Sequence, residues 1–317
     1  MRKIAPWLAC GIVAVALPLV ITNNYLLHLL IIAVIWSILA TSLNLVLGYT
    51  GLLSLAHGAF FGLGAYCSAL LVTKLGWNFW ATIPPAMALA ALFGALLGLL
   101  TLRLSGHYFA ISTLSFGIVV SLVLEKWDDL TEGPRGISSI PAPTPISLFG
   151  WREVDFESNS AKYYLAVMAL ALCLVFVSRL VRSPTGRALE AIRQNELLAS
   201  CLGVNVVFYK LLAFSLSAAM AGLAGVLYSV YITYINPIDA GLWNGFYAVM
   251  YIVIGGMGTF AGPVVGTLFL VTLPELLRMF QDYRLLLLGV LLIITMTFLP
   301  QGIVGGFSKL QRRWVKR

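Results

Sequence analysis

Apolar residues in this chain come in runs of about twenty, broken by short polar or turn-forming stretches. Near 4–22, 25–47, 56–73, 79–102, 107–124, 162–180, 210–233, 241–257, 262–280 and 284–299 the sequence is dominated by Leu, Ile, Val, Ala and Phe. A helix needs about 20 such residues to cross roughly 30 Å of hydrocarbon. Ten spans are therefore expected, in an all-α polytopic transmembrane helical bundle that takes up 1–317 as a single domain. Backbone groups within hydrocarbon find no water to bond, which favours helices for runs of this length.

Two polar segments between the runs are long enough to carry structure of their own. The first, 125–161, is acidic and holds Pro134, Pro141, Pro143 and Pro145, which predicts an irregular loop with short turns rather than a helix. It serves either as a connector or as a contact for a partner. The second, 182–210, has the start signal of a helix in Ser183 followed by Pro184, an N-cap before a proline at the first helical position. Gly203 is its natural stop. Between them Ala188, Ile192, Ala199 and Leu202 fall on one face, with Arg187, Glu190, Arg193 and Gln194 on others, so one amphipathic helix is expected. From its residues alone it is either a connector lying on the membrane surface or a docking element for a soluble partner.

Composition narrows the class further. With 60% hydrophobic and 10% charged residues the chain cannot dress a soluble surface, which carries roughly a quarter charged residues. Lys and Arg stay on the cytoplasmic side of membranes far more than on the other. Ten spans with the amino terminus inside return the carboxyl terminus inside. They also place thirteen of the twenty bases in the cytoplasm, and of the twelve acids Glu190 and Glu196 alone. By this partition 125–161 is external and 182–210 cytoplasmic. The bases sit at span ends and in one loop, without a continuous basic face, so nucleic acid is not an expected partner; the tail KLQRRWVKR points to anionic lipid. The first run has a basic start like a signal peptide, yet Leu17 to Ile21 remain apolar beyond any cleavage point, so an uncleaved span is expected. Cys10, Cys67, Cys173 and Cys201 are scattered, which predicts neither a disulfide nor a metal site.

Candidate chemistry concentrates in Gly48–Tyr66, GYTGLLSLAHGAFFGLGAY. Gly48 to Gly51 should interrupt a helix, and irregular backbone at membrane depth requires protein or a water-filled cavity to satisfy it. Such a break is either part of a transport path or a tight turn at the surface. Glycines spaced by four at 58 and 62, 94 and 98, 258 and 262, and 262 and 266 predict close helix packing. His57 reads as a buried histidine bonded to a neighbouring carbonyl. Glu275, within a predicted span, is expected to pair with Arg278. No Gly-xxxx-Gly-Lys-Ser/Thr loop, Gly-x-Ser-x-Gly turn or His-Glu-xx-His pair occurs, so no catalytic site is expected. An ion-coupled secondary transporter or channel would want a cluster of intramembrane ionisable groups, and Glu275 is the one acid available.

Four blocks in order, LNLVLGYTGLLSLAHGAFFGLGAY, GVNVVFYKLLAF, SAAMAGLAGVLYSVYITYINP and YIVIGGMGTFAGPVVGT, resemble the high-affinity branched-chain amino acid ABC transporter permease family. Urea and short-chain amide permeases share the same blocks. The resemblance implies a non-catalytic permease subunit of a bacterial inner-membrane importer for branched-chain or other apolar amino acids. It implies a homologous second permease, two cytoplasmic ATPase subunits that use the ATP and Mg, and a periplasmic substrate-binding protein; this chain would bind no cofactor. It makes 182–210 the ATPase-coupling loop, with Glu196, Ala199 and Gly203 nearest the family's pattern, and Arg187, Glu190 and Arg193 beside them. Tyr49, Thr50, Ser54, Asn244 and Tyr247 are the candidates to line the path. Members often carry a Glu before the IGGMGTFAGPVVG block, where Gly241–Met250 here has only Asn244 and Tyr247 as polar groups.

Overall fold

The computed structural model of the chain describes residues 23–104, 106–148, 152–154, 156 and 158–276, together with 17–18, 286, 289–290, 293, 297 and 302–306. Eight of the ten apolar runs are helices: α1 (Asn24–Thr50), α2 (His57–Thr73), α3 (Phe79–Thr101), α4 (His107–Lys126), α6 (Asn159–Arg182), α9 (Val206–Ile232), α10 (Leu242–Gly255) and α11 (Gly262–Leu276). The runs near 4–22 and 284–299, Arg278 and the basic tail lie mostly or wholly outside the described residues. Side-chain amides and hydroxyls set the helix starts. Asn23, Asn78, Ser158 and Asn205 each accept a first-turn amide hydrogen, those of Tyr25, Trp80, Ala161 and Phe208.

Among the described residues five helices, α1, α3, α4, α6 and α9, are long and apolar enough to cross a membrane; α2, α10 and α11 are shorter. α9 is the hub, packed against α1, α2 and α3. A β-carbon on Gly94 would come 2.5 Å from that of Ala218, and one on Gly222 would come 2.7 Å from that of Ala90, so the backbones of α3 and α9 approach closely because side chains are missing. Beside that seam Phe60, Phe109 and Phe214 meet edge to face, with centroids 5.6 and 5.7 Å apart. Gly262 and Gly266 pack on the end of α10, whereas Gly258 lies in the loop before α11 and makes no helix–helix seam.

Three expectations change. α1 runs through Tyr49 and Thr50 and stops at Gly51, whose φ of +78° suits glycine; the break is Gly51 to Ala56, three residues later than expected. The segment 182–210 is not one helix. α7 (Pro184–Gln194) ends and α8 (Glu196–Cys201) begins at Asn195, an extended residue at φ −160° whose side chain accepts the amide hydrogen of Leu198. The polar stretch 125–161 holds a short helix, α5 (Asp128–Thr131), a 3₁₀ turn at Gly133–Arg135, and strands β1 (Ile137–Ser138), β2 (Ile146–Leu148) and β3 (Arg152–Val154). β2 pairs with β3, and β1 pairs with β4 (Tyr234–Ile235), which follows α9.

Candidate functional site

Ser183 caps α7 as its sequence requires, accepting the amide hydrogen of Gly186 at 3.4 Å, with Pro184 at the first position. Leu189 of α7 packs with Leu45, Tyr49 and Ala213, and Ile192 packs with Ala199 and Val206, which seats the α7–α8 unit against the ends of α1 and α9. The kink at Asn195 rotates the face that follows it. Ala199 is buried as one apolar stripe would have it, but Leu202 is not, with 83% of its surface exposed. Leu197 and Leu198 are 73% and 61% exposed, so α8 carries an apolar ridge. Gly203, at φ +83°, closes the helix with its amide hydrogen on the carbonyl of Ser200.

All four charges of the unit, Arg187, Glu190, Arg193 and Glu196, are exposed, and two of them also bond back to the bundle. Glu196 turns back to Lys210, 2.5 Å from its ammonium, and the lysine is only 5% exposed. That carboxylate is therefore committed to a bond within the chain. Arg193 also turns back and donates to the carbonyl of Gly48 in the last turn of α1. Leu197, Leu198 and Lys210 were not singled out from sequence; an Asn cap followed by Glu-Leu-Leu was the available signal.

A second feature lies deeper in the bundle. The non-helical residues 51–56 precede α2, and the non-helical residues 233–241 precede α10, with a 3₁₀ turn at Pro237–Ala240. The two segments cross. A β-carbon on Gly58 would sit 2.5 Å from the carbonyl oxygen of Gly241 and 3.0 Å from the nitrogen of Gly245, and one on Gly245 would sit 2.5 Å from the carbonyl oxygen of Leu55. Gly245 stands near the start of α10 and Gly256 caps its end, which sets the crossing about 15 Å of helical rise from the end of α10 that faces the α7–α8 unit.

Local hydrogen bonds satisfy the irregular backbone. Leu55 donates its amide hydrogen to Thr113 of α4 at 3.1 Å, and Ala56 donates to the Ser54 hydroxyl at 3.3 Å. Ser121 donates to the carbonyl of Pro237 at 3.0 Å, and Asn244 to that of Asp239 at 2.6 Å. His57 bridges two hydroxyls, with Nδ1 3.2 Å from Ser54 and Nε2 2.6 Å from Ser217, whose hydroxyl donates to the carbonyl of Ser42. The histidine is thus bonded as expected, through serines rather than directly to a carbonyl.

Of the path candidates, Asn244 lies at this crossing, its Cβ 3.5 Å from the would-be β-carbon of Gly58, whereas Ser54 is fully buried with its hydroxyl on His57 and the Ala56 amide. Tyr247 follows on α10, half exposed beside Tyr251. Tyr49 and Thr50 stand apart. Tyr49 packs at the α7 end, and Thr50 is buried with its hydroxyl on the carbonyl of Val46 at 2.7 Å.

Known proteins resemble the chain along most of its length. The family described as branched-chain amino acid transport system, permease component, matches residues 25–296. The high-affinity branched-chain amino acid transport system permease protein LivM of Escherichia coli K12 is 36% identical over 310 residues, covering 92% of this chain and 73% of LivM. LivH of the same organism, with the same description, is 28% identical over 286 residues, 85% of this chain and 91% of LivH. BraD of Pseudomonas aeruginosa, again described as a high-affinity branched-chain amino acid transport system permease protein, is 26% identical over 283 residues. No solved structure matches the chain.

Proposed function

The chain belongs to the branched-chain amino acid transport permease family, and from that premise we propose that it is one permease half of an ATP-driven importer for branched-chain or other apolar amino acids. It would lie in the bacterial inner membrane with ten spans and both termini in the cytoplasm. A homologous permease would pair with it, two ATPase subunits would dock on the inside, and a periplasmic binding protein would deliver the substrate. The ATPase subunits would bind and hydrolyse the ATP with Mg; the permease itself would be non-catalytic and hold no cofactor.

The observation that carries the docking reading is the exposed ridge of Leu197, Leu198 and Leu202 on α8, beside a glutamate whose charge is already engaged by Lys210. An exposed apolar ridge on a unit that also exposes Arg187 and Glu190 has the composition of a docking patch. Closure of the ATPase subunits would press on this ridge. The crossing of residues 51–56 and 233–241 would serve as the discontinuity for a path, with Asn244 and Tyr247 as polar groups beside what would be a mostly apolar lining. An apolar lining favours leucine-like cargo.

Reconstitution tests both parts. Proteoliposomes holding the chain, its second permease and the ATPase subunits, with binding protein in the lumen or bath as orientation requires, should take up labelled leucine only with ATP. Excess isoleucine or valine should compete, and urea or acetamide should not. Competition by urea or acetamide in place of the amino acids would move the chain to the amide permeases. Uptake by the chain without ATPase subunits would make it a secondary transporter or channel.

A further inference from the structure

We propose that Arg193 is the positioning residue through which the α7–α8 unit moves both broken elements of the bundle, α1–α2 and α10; the proposal rests on the docking role given above and adds where the motion goes. Arg193 stands in the last turn of α7 and donates to the carbonyl of Gly48. That carbonyl is one of the last four of α1, left without an intrahelical partner because the chain departs from the helix at Gly51. The end of a helix is the negative end of its dipole, so a guanidinium there is doubly suited, as donor and as cation.

The same guanidinium also lies against the loop between α10 and α11. A β-carbon on Gly258 would fall 2.6 Å from Nη1 of Arg193, and one on Gly51 would fall 3.6 Å from its Cγ. Gly258 has a φ of +71°, so a glycine is needed there for its backbone as well as for the space. Asn44 ties this loop to α1 as one body: its Oδ1 accepts the amide hydrogen of Gly258 at 2.9 Å and its Nδ2 donates to the carbonyl of Thr259 at 3.0 Å.

From this junction the chain leaves in two directions. Residues 51–56 lead to the start of α2, and Gly256 is the residue on which α10 ends. Those are the two elements that cross at Gly58 and Gly245. A displacement of α7 reaches α1 through the packing of Leu189 on Leu45 and Tyr49 as well, but Arg193 is the side chain that touches both the end of α1 and the loop beyond α10. Glu196 is engaged with Lys210 instead, and Arg193, though itself surface-exposed, is the charge of the unit that bonds α1.

The test uses the assembled transporter in proteoliposomes, with three readouts: ATPase subunit retained, ATP hydrolysed and labelled leucine taken up. With Arg193→Ala we expect the ATPase subunits to be retained and hydrolysis to continue, while leucine taken up per ATP falls at least tenfold. Arg193→Lys, which restores a cation but not the planar fork, should recover part of that ratio. Gly258→Ala reaches the junction from the opposite side, without altering α7, and should lower the ratio in the same way. A parental ratio in Arg193→Ala or in Gly258→Ala would overturn the link, and so would loss of the ATPase subunits from Arg193→Ala that Arg193→Lys fails to restore. If the parental chain itself retains no ATPase subunit, the docking reading fails and the link falls with it; if the parental chain works and Arg193→Ala works equally, the link alone falls.

Discussion

Ser217 shows how much a small polar group decides within an apolar bundle. Its hydroxyl donates to Ser42 of α1 and meets His57 of α2, so it ties three helices at one point. Ser217→Ala would leave a buried imidazole nitrogen and a buried carbonyl without this partner, at a cost of about 1–3 kcal/mol. A lower melting temperature of the detergent-solubilised chain would register it; an unchanged melt would show that another group already satisfies the histidine. Gly58 and Gly245 impose a steric counterpart. Alanine at either would overpack a backbone contact, costing about 1–3 kcal/mol. Because both substitutions strain the same contact, the double variant should lose less than the two single losses added together, and strict additivity in thermal unfolding would argue against a shared crossing. At this scale the residues themselves were legible, since a histidine and clustered glycines stand out in an apolar run. Their partners were not: Ser217 is 160 positions from His57, and no local period links them.

Among the elements, α8 differs most from its expected form. A helical period counted across 182–210 runs through Asn195 without a flaw and puts Leu202 on one face with Ile192 and Ala199; with one extended residue and a fresh N-cap between, Ile192 and Ala199 are buried and Leu202 is exposed. Leu198→Asp or Leu202→Asp alters only exposed surface and should change the chain's own stability by no more than about 0.5 kcal/mol. Either should nevertheless weaken capture of the ATPase subunits at least tenfold in a co-purification assay; retention at the parental level would remove the ridge from the docking role. Reversing Glu196 has a different expected outcome from reversing a free surface charge. Glu196→Lys would set a second ammonium beside the nearly buried Lys210, so α8 itself should loosen, visible as faster amide exchange across 196–202. The long apolar helices were legible because length and composition suffice for them. The breaks were legible in place, since the runs leave 48–55 and 234–240 between them; the end of α1 was not, because Tyr49 and Thr50 stay helical and the chain departs at Gly51.

For the whole molecule the orientation rests on charge. With the α7–α8 end inside, Cys201, which is exposed, should resist a membrane-impermeant maleimide in intact cells expressing the chain alone and react once the membrane is opened. Labelling in intact cells would invert the proposed topology. Cys173 is buried and should remain slow under both conditions. Helical class and family were legible from apolar runs and four ordered blocks; the β1–β4 ribbon was not, since it pairs residues about a hundred positions apart, each strand two residues long. That ribbon, with the Tyr234 hydroxyl on the carbonyl of Arg135 and Ser121 on that of Pro237, fastens the entry to α10 at one tip, while Asn44 fastens the loop beyond its other tip. A short strut fastened at both tips has no private side. In the proposed assembly, a solute or protein on the ribbon's side that favours one setting of α10 would alter how tightly the far tip is held, and a nucleotide acting there would return the influence in equal measure of free energy.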